Sequence, residues 1–245
     1  PGRVTKWSAK FAKKVAVSYP DLVSYFGENK TAWTGQPVRE EITKPVKEGA
    51  YEYLKLNSEI PVIYVTGGSS GAQKINDCVL DALPDLVKKY QIIHQAGNAN
   101  FEEVRGRAEI KLHGSPHHDR YKVFPFLNTL AIKMAAGVSD LVITRAGSTL
   151  FEIATWNIPS IVIPFNKSNG DHARKNAYAY LRAGACTVIE ESNLGPSELI
   201  FAIENILENS EVYKNMQEGA KKFSRPDAAV IIAQEIVQIA LSHEK

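Results

Sequence analysis

Two glycine-containing turns and one polar loop hold the residue types in this chain that are able to do chemistry. The first turn is "VTGGSSGAQKIN", 65 to 76, where Gly67, Gly68, Ser69, Ser70 and Gly71 follow an apolar run and precede a helical pattern. Glycines let a backbone come close to a phosphate, and the free amides of a helix start favour negative charge. It is neither G-x-G-x-x-G nor a P-loop with Lys-Ser/Thr, so it also reads as a plain tight turn. The second is "DLVITRAGSTLFEIA", 140 to 154, in which Glu152 stands three residues past Thr149. That spacing fits a capping box with Thr149 as N-cap and Glu152 reaching back from N3. Gly147, Ser148 and Thr149 also follow the carboxyl end of a strand, where open parallel sheets bind ligands.

The polar loop "FNKSNGDHARKNA", 165 to 177, brings Asp171, His172, Arg174, Lys175 and Asn176 to the start of another helix. It reads as a solvated helix start or as a lip facing substrate. "LHGSPHHDR" offers His113, His117, His118 and Asp119, but at no helical metal-ligand spacing, so a connecting loop with surface histidines is expected. His94, between apolar residues in "QIIHQAG", is expected to be a hydrogen-bonded strand-end histidine rather than a base.

These turns need strands and helices to hold them. Short apolar or β-branched runs recur as "PVIYVT" (61 to 66), "QIIHQ" (91 to 95), "YKVFPF" (121 to 126), "DLVIT" (140 to 144), "PSIVIP" (159 to 164) and "CTVIE" (186 to 190). Helical patterns lie between them: after Ala72, and over about 98 to 107, 127 to 137, 149 to 157 and 172 to 184. Strands separated by single helices imply right-handed crossovers, hence an α/β fold: a Rossmann-like parallel sheet with helices on both faces.

Before Ile60 the pattern changes. Trp7, Phe11 and Val15 recur every four residues among Arg3, Lys6, Lys10, Lys13 and Lys14, which predicts a short basic amphipathic helix. It reads either as a face packed on a neighbour or, over residues 3 to 15, as contact with an anionic membrane surface. A turn-rich "SYPDLVSYFGENKT" and one strand-like "AWTG" follow, and a charged separator, "TKPVKEGAYEYLKLN", leads to the sheet. After Pro226 a long apolar helix closes the chain. The expected division is 1–34, a remnant of a preceding domain; 35–226, the sheet domain; and 227–245, a closing helix that packs back on the preceding domain. The absence of Met at Pro1 also leads us to expect something upstream.

The 245 residues are 44% apolar, enough for real cores. With 29 Lys and Arg against 27 Asp and Glu the net charge is +2, which gives no general argument for nucleic acid. Cys78 and Cys186 lie far apart inside apolar runs, as buried thiols do. No run approaches the roughly 20 apolar residues of a membrane span.

In order along the chain, "GQPVR" (35 to 39), "GGSSGAQKIN", "HQAG" (94 to 97), "DLVITRAGSTLFEIA", "IPSIVIPF" (158 to 165), "DHARKNA" (171 to 177) and "AGA" (183 to 185) resemble the MurG family of GT-B glycosyltransferases. The resemblance covers essentially the whole chain but only the donor-binding part of the family's protein. It implies inverting transfer of N-acetylglucosamine from UDP-N-acetylglucosamine to the lipid-linked muramoyl-pentapeptide of peptidoglycan synthesis, as a cytoplasmic enzyme peripheral on the inner face of a bacterial membrane. It implies no required cofactor, no metal site and no nucleic acid. The catalytic residues and the lipid-linked acceptor belong to the domain that precedes this part in the family, so no catalytic residue is expected here.

Position by position, the resemblance places Arg39 at the interdomain hinge near the nucleotide, Gly68 and Ser69 near the diphosphate, and the backbone of Leu127 against uracil. Gly147, Ser148 and Thr149 would line the donor site, and Glu152 would accept hydrogen bonds from the ribose hydroxyls, a vicinal diol suited to a carboxylate. His172 and Asn176 complete the set.

Two departures stand out. "RAGSTLFE" is one residue shorter than the family's turn, and Ala173 replaces the glutamine that reads the sugar hydroxyls, a change worth about 1–3 kcal/mol in such sites. The expectation is altered sugar specificity with His172 or Arg174 as substitutes. Two other readings share these residues: a non-catalytic UDP-sugar-binding module that needs a partner acceptor domain, and a GT-B UDP-sugar epimerase.

Overall fold

The computed structural model describes residues 3–68, 72–165 and 171–242. The chain forms two compact units, one of Pro1–Glu40 with Ser224–Lys245 and one of Glu41–Phe223. The sequence pattern puts these divisions at 34/35 and 226/227.

The first unit opens with helix α1 (Arg3–Ser8), strand β1 (Val15–Val17), helix α2 (Asp21–Phe26) and strand β2 (Thr31–Trp33). The expected basic helix therefore stops well short of Val15. The four-residue spacing of Trp7 and Phe11 does bring their rings together, edge to face at 5.2 Å. Val15, however, is β-branched and pairs with Thr31 in a parallel ladder, Ala16 with Ala32 and Val17 with Trp33. The segment read as turn-rich contains α2, which covers this pair of strands with Leu22, Val23 and Phe26.

In the second unit, helix α3 (Ala50–Leu54) occupies the segment read as a charged separator. Ala50 and Leu54 are buried in a core with Ile42, so this segment is part of the domain. The sheet follows as β3 (Val62–Thr66), α4 (Gln73–Lys89), β4 (Gln91–Gln95), α5 (Phe101–Lys111), β5 (Tyr121–Phe124), α6 (Thr129–Val138), β6 (Leu141–Thr144), α7 (Thr149–Trp156), β7 (Ser160–Val162), α8 (His172–Arg182) and β8 (Cys186–Val188). Two helices absent from the sequence reading, α9 (Pro196–Leu207) and α10 (Ser210–Phe223), close the unit.

All six strands are parallel, in the order β5-β4-β3-β6-β7-β8. The alternation of a strand sorts its side chains between two cores. Ile63 and Val65 face α4, α5 and α9, whereas Val62 and Tyr64 face α3, α6 and α7. On the second face Gly137 of α6 has a steric reason: a Cβ there would run into the carbonyl of Val46.

The last helix, α11 (Ala228–Leu241), belongs to the first unit. Within that unit Arg225 stacks its guanidinium 3.6 Å from the Trp33 ring, and Gly35, at φ +82°, leaves room for the Arg225 side chain. This contact ties Gly35 to the N-terminal strands rather than to the sheet domain.

Candidate functional site

The strand order defines a switch point. From β3 the chain moves outward through β4 to β5, then returns to β6 on the other side of β3. At such a point the turns after the two strands lead to opposite sides, and open α/β sheets form their ligand crevice at these carboxyl ends. Gly68 follows β3, and Gly147, Ser148 and Thr149 follow β6, so the two glycine turns flank this crevice. Leu127 follows β5, and His172 and Asn176 stand in the first half of α8, after β7. Arg39 is exposed and belongs to the first unit. Ser69 lies outside the described residues.

On the β3 side the turn is built from neutral groups. Gly68 adopts φ +84°, which a side chain would strain, and its N–H donates to Thr66 Oγ1 at 3.3 Å. Gln95, 4% exposed, donates from Nε2 to the Gly68 carbonyl at 3.4 Å and accepts from the Leu127 N–H at 3.3 Å. Leu127 is buried, and Asn128 after it caps α6 by accepting from the Ala131 N–H at 2.9 Å.

His94 points to the opposite face of β4. Its Nε2 lies 3.0 Å from Asn76 Oδ1 and its Nδ1 2.7 Å from the Tyr121 hydroxyl. Asn76 Nδ2 donates to the Ala96 carbonyl at 3.0 Å, so its Oδ1 must accept and His94 Nε2 must carry the proton. Nδ1 then accepts from Tyr121. Burial pushes the His94 pKa down to about 3 and raises that of Tyr121, so the network is neutral. The expectation of a hydrogen-bonded structural histidine is borne out.

On the β6 side the groups are charged. Arg145 Nη2 donates to Glu191 Oε1 at 2.6 Å, and Nη1 to the Ile163 carbonyl at 3.3 Å. The Glu191 side chain is 5% exposed, and its other oxygen lies 3.6 Å from Lys74 Nζ in the first turn of α4. This carboxylate joins elements that are far apart in sequence, and no local spacing in the sequence pointed to it. Arg174 Nε pairs with Glu190 Oε1 at 3.0 Å, and the Tyr178 hydroxyl donates to the same oxygen at 2.9 Å. Arg174 is thereby held by Glu190, which leaves the exposed His172 as the candidate beside Ala173.

The capping box does not form. The N-cap of α7 is Ser148, in αR geometry and without a side-chain cap hydrogen bond, so Thr149 is the first helical residue and Glu152 falls at N4. An αR N-cap turns its hydroxyl away from the amides it would have to satisfy. Glu152 is half-buried. Gly147 has neither a positive φ nor any atom within 4 Å of a built Cβ, so packing within the described residues does not require glycine there. Asn176 reaches back from α8 and donates to the Ala146 carbonyl at 3.1 Å, fixing the turn.

A cleft of about 680 Å³ lies elsewhere, lined by Leu112, His113, Ser115, His118, Tyr121 and their neighbours. None of its lining residues belongs to the carboxyl-end turns, and the described residues contain no cluster of three His, Cys, Asp or Glu able to hold a metal ion. Among them no helix is long and apolar enough to cross a membrane. Both cysteines are buried, and burial raises their thiol pKa values, that of Cys78 to about 12.

A doubly wound parallel sheet with glycine turns at its switch point is the nucleotide-binding class of α/β domain. The chain belongs to glycosyltransferase family 28, whose C-terminal domain matches residues 62–232. A relative from Bacillus cereus, named UDP-N-acetylglucosamine--N-acetylmuramyl-(pentapeptide) pyrophosphoryl-undecaprenol N-acetylglucosamine transferase 2, is 35% identical over 239 residues, 96% of this chain and 64% of the relative. Among solved structures, MurG of Acinetobacter baumannii superposes with a TM-score of 0.72 at 23% identity, over 97% of this chain and 64% of that one. The UDP-GlcNAc 2-epimerase of Neisseria meningitidis bound to UDP-GlcNAc gives 0.65 at 15%, over 95% and 63%. This chain thus spans less than two thirds of the length of each.

Proposed function

We propose that the carboxyl edge of the sheet is the donor site of a glycosyltransferase that moves N-acetylglucosamine from UDP-N-acetylglucosamine to a lipid-linked muramoyl-pentapeptide. The observation that carries this reading is the pair of glycine turns at the switch point, one of them with a Gly147 that nothing in the described chain requires and a carboxylate, Glu152, one turn further on. The name borne by the Bacillus relative supplies the donor and the acceptor class.

In this reading Glu152 accepts from the two ribose hydroxyls, Leu127 offers backbone to uracil, and Gly68 with Ser69 lies along the diphosphate. Gly147, Ser148 and Thr149 border the sugar diphosphate at the start of α7, where the helix amides favour the charge that develops on the leaving UDP. Asn176 holds that turn and, with His172, faces the hexose. Arg39 is the remaining residue that the family resemblance assigns to the nucleotide. The acceptor hydroxyl attacks the anomeric carbon with inversion, UDP departs, and the group that takes the acceptor proton comes from the domain that precedes this part in the family. The first unit is the tail of that acceptor domain, α11 the helix that returns to it, and the enzyme works at the inner face of the bacterial membrane, where residues 3–15 contribute basic surface.

Calorimetry of the chain with UDP-N-acetylglucosamine, UDP-glucose and UMP tests the reading. Binding that requires the diphosphate is the expected result, and absence of heat with millimolar UDP overturns it. Ala173 is expected to narrow the preference for UDP-N-acetylglucosamine over its galacto epimer, because the amide that a misplaced hydroxyl would leave unpaired is missing.

A further inference from the structure

We propose that Gln95 is a positioning residue that sets the distance between the base-binding and diphosphate-binding backbone, and so makes UDP bind as one rigid ligand instead of two loosely linked halves. The inference rests on the donor-site reading above.

The geometry follows from topology. β4 lies between β3 and β5, and Gln95, its last residue, is paired in register with Thr66 on one side and Phe124 on the other. From there a single planar amide reaches both turns: Nε2 donates to the Gly68 carbonyl at 3.4 Å and Oε1 accepts from the Leu127 N–H at 3.3 Å. The two turns are therefore held apart by the span of one carboxamide. The amide is buried, with the residue 4% exposed, so both of its ends need partners. His94, the preceding residue, points to the other face and anchors β4 to α4 and β5 through Asn76 and Tyr121. The strand that carries the amide is thus pinned independently of it.

The energetic consequence is one of effective concentration. A ligand that touches two turns gains from the second contact only when the turns already stand at the ligand's own spacing. Gln95 supplies that spacing before the ligand arrives. Removing its hydrogen bonds leaves each turn able to meet its own part of the ligand but no longer fixed to the other. The loss falls on UDP and spares uridine.

Two variants of the full 245-residue chain test this. Gln95→Met keeps the volume and removes both hydrogen bonds; Gln95→Asn keeps the amide but shortens its reach by one methylene, so it holds one turn and not both. Titration calorimetry with UDP and with uridine gives the affinity ratio, and thermal melting reports folding. The expected result is a UDP-to-uridine affinity ratio about tenfold below that of the unaltered chain for Met, with a smaller fall for Asn. Should Gln95→Met not melt cooperatively, Gln95→Asn carries the test. An unchanged ratio, whether both ligands keep their affinity or lose it by the same factor, overturns the proposal, because a merely structural role moves stability or both affinities together. An unaltered chain that does not bind UDP overturns the donor-site reading itself, which separates the two failures.

Discussion

The two sides of the switch point are built from different chemistry. Toward β4 and β5, Asn76, His94, Gln95 and Tyr121 form neutral, buried networks in which each described hydrogen bond is between uncharged groups. Toward β7 and β8, Arg145, Glu191, Lys74, Arg174 and Glu190 form ion pairs. The neutral side fixes geometry without adding a field, which suits a base recognised by backbone polar groups. The charged side sets two cations, Arg145 of the turn before α7 and Lys74 of α4, against the buried Glu191 carboxylate, which brings a field to the glycine turn proposed to border the sugar diphosphate. One sheet thereby offers a rigid end and an electrostatic end to a ligand that has both characters.

The largest effect that would break this contrast is the loss of Arg145. Arg145→Ala strands the Glu191 carboxylate in a 5% exposed setting with Lys74 as its remaining ion-pair partner among the described residues, an expected loss of about 3–5 kcal/mol in urea unfolding. The double replacement Arg145→Met with Glu191→Met should recover most of that stability while leaving UDP binding weak.

The neutral side is tested next, through pH. His94 protonates near 6.5 when unfolded but only at about 3 when folded, so the unfolded chain binds more protons between these values. The contribution is full above pH 6.5 and is lost progressively as pH falls toward 3. His94→Leu is expected to flatten this acid dependence while costing about 2–4 kcal/mol at pH 7, because Asn76 and Tyr121 lose their partner. Urea titrations at pH 7 and pH 5 measure both; equal acid sensitivity in the variant would show that His94 is not the titrating group.

A smaller effect sharpens the ribose assignment. Glu152→Gln replaces charge-assisted acceptance by a neutral amide and is expected to weaken UDP about tenfold, roughly 1.4 kcal/mol. A stability loss with unchanged UDP affinity would reverse the assignment. The smallest effect belongs to Lys74, whose side chain is 63% exposed. Lys74→Met should cost under about 1 kcal/mol, and any loss of UDP affinity should fade in high salt.

Much of the sheet domain was legible in local pattern. Each of the six strands carries a β-branched or apolar run, and their ends fall short of the expected bounds where Pro125, Pro159 and Pro164 remove a ladder donor. The signal for α9 was also present, with Pro196 in the first turn and Leu199, Ala202, Ile203 and Ile206 at helical spacing. The failures have long-range causes. Val15 fits a helical stripe locally, but its pairing with Thr31 decides the outcome. Ser148 and Thr149 are both cap residues, and only the three-dimensional course of the short turn chooses between them. In the site, the glycine turns and Glu152 were visible as motifs. Glu191 was not, since Arg145 is 46 residues away and each looks alone like an ordinary surface charge. Gln95 was visible only as part of "HQAG"; its span between Gly68 and Leu127 exists only once β4 lies between β3 and β5.

The most direct test of the central claim is amide hydrogen exchange of the chain with and without UDP. The account expects new protection in the turns after β3, β4, β5 and β6, at Gly68, Gly97, Asn128 and Gly147 to Phe151, with no change around the cleft at Leu112 to His118. Protection confined to that cleft, with the carboxyl-end turns unchanged, would contradict it.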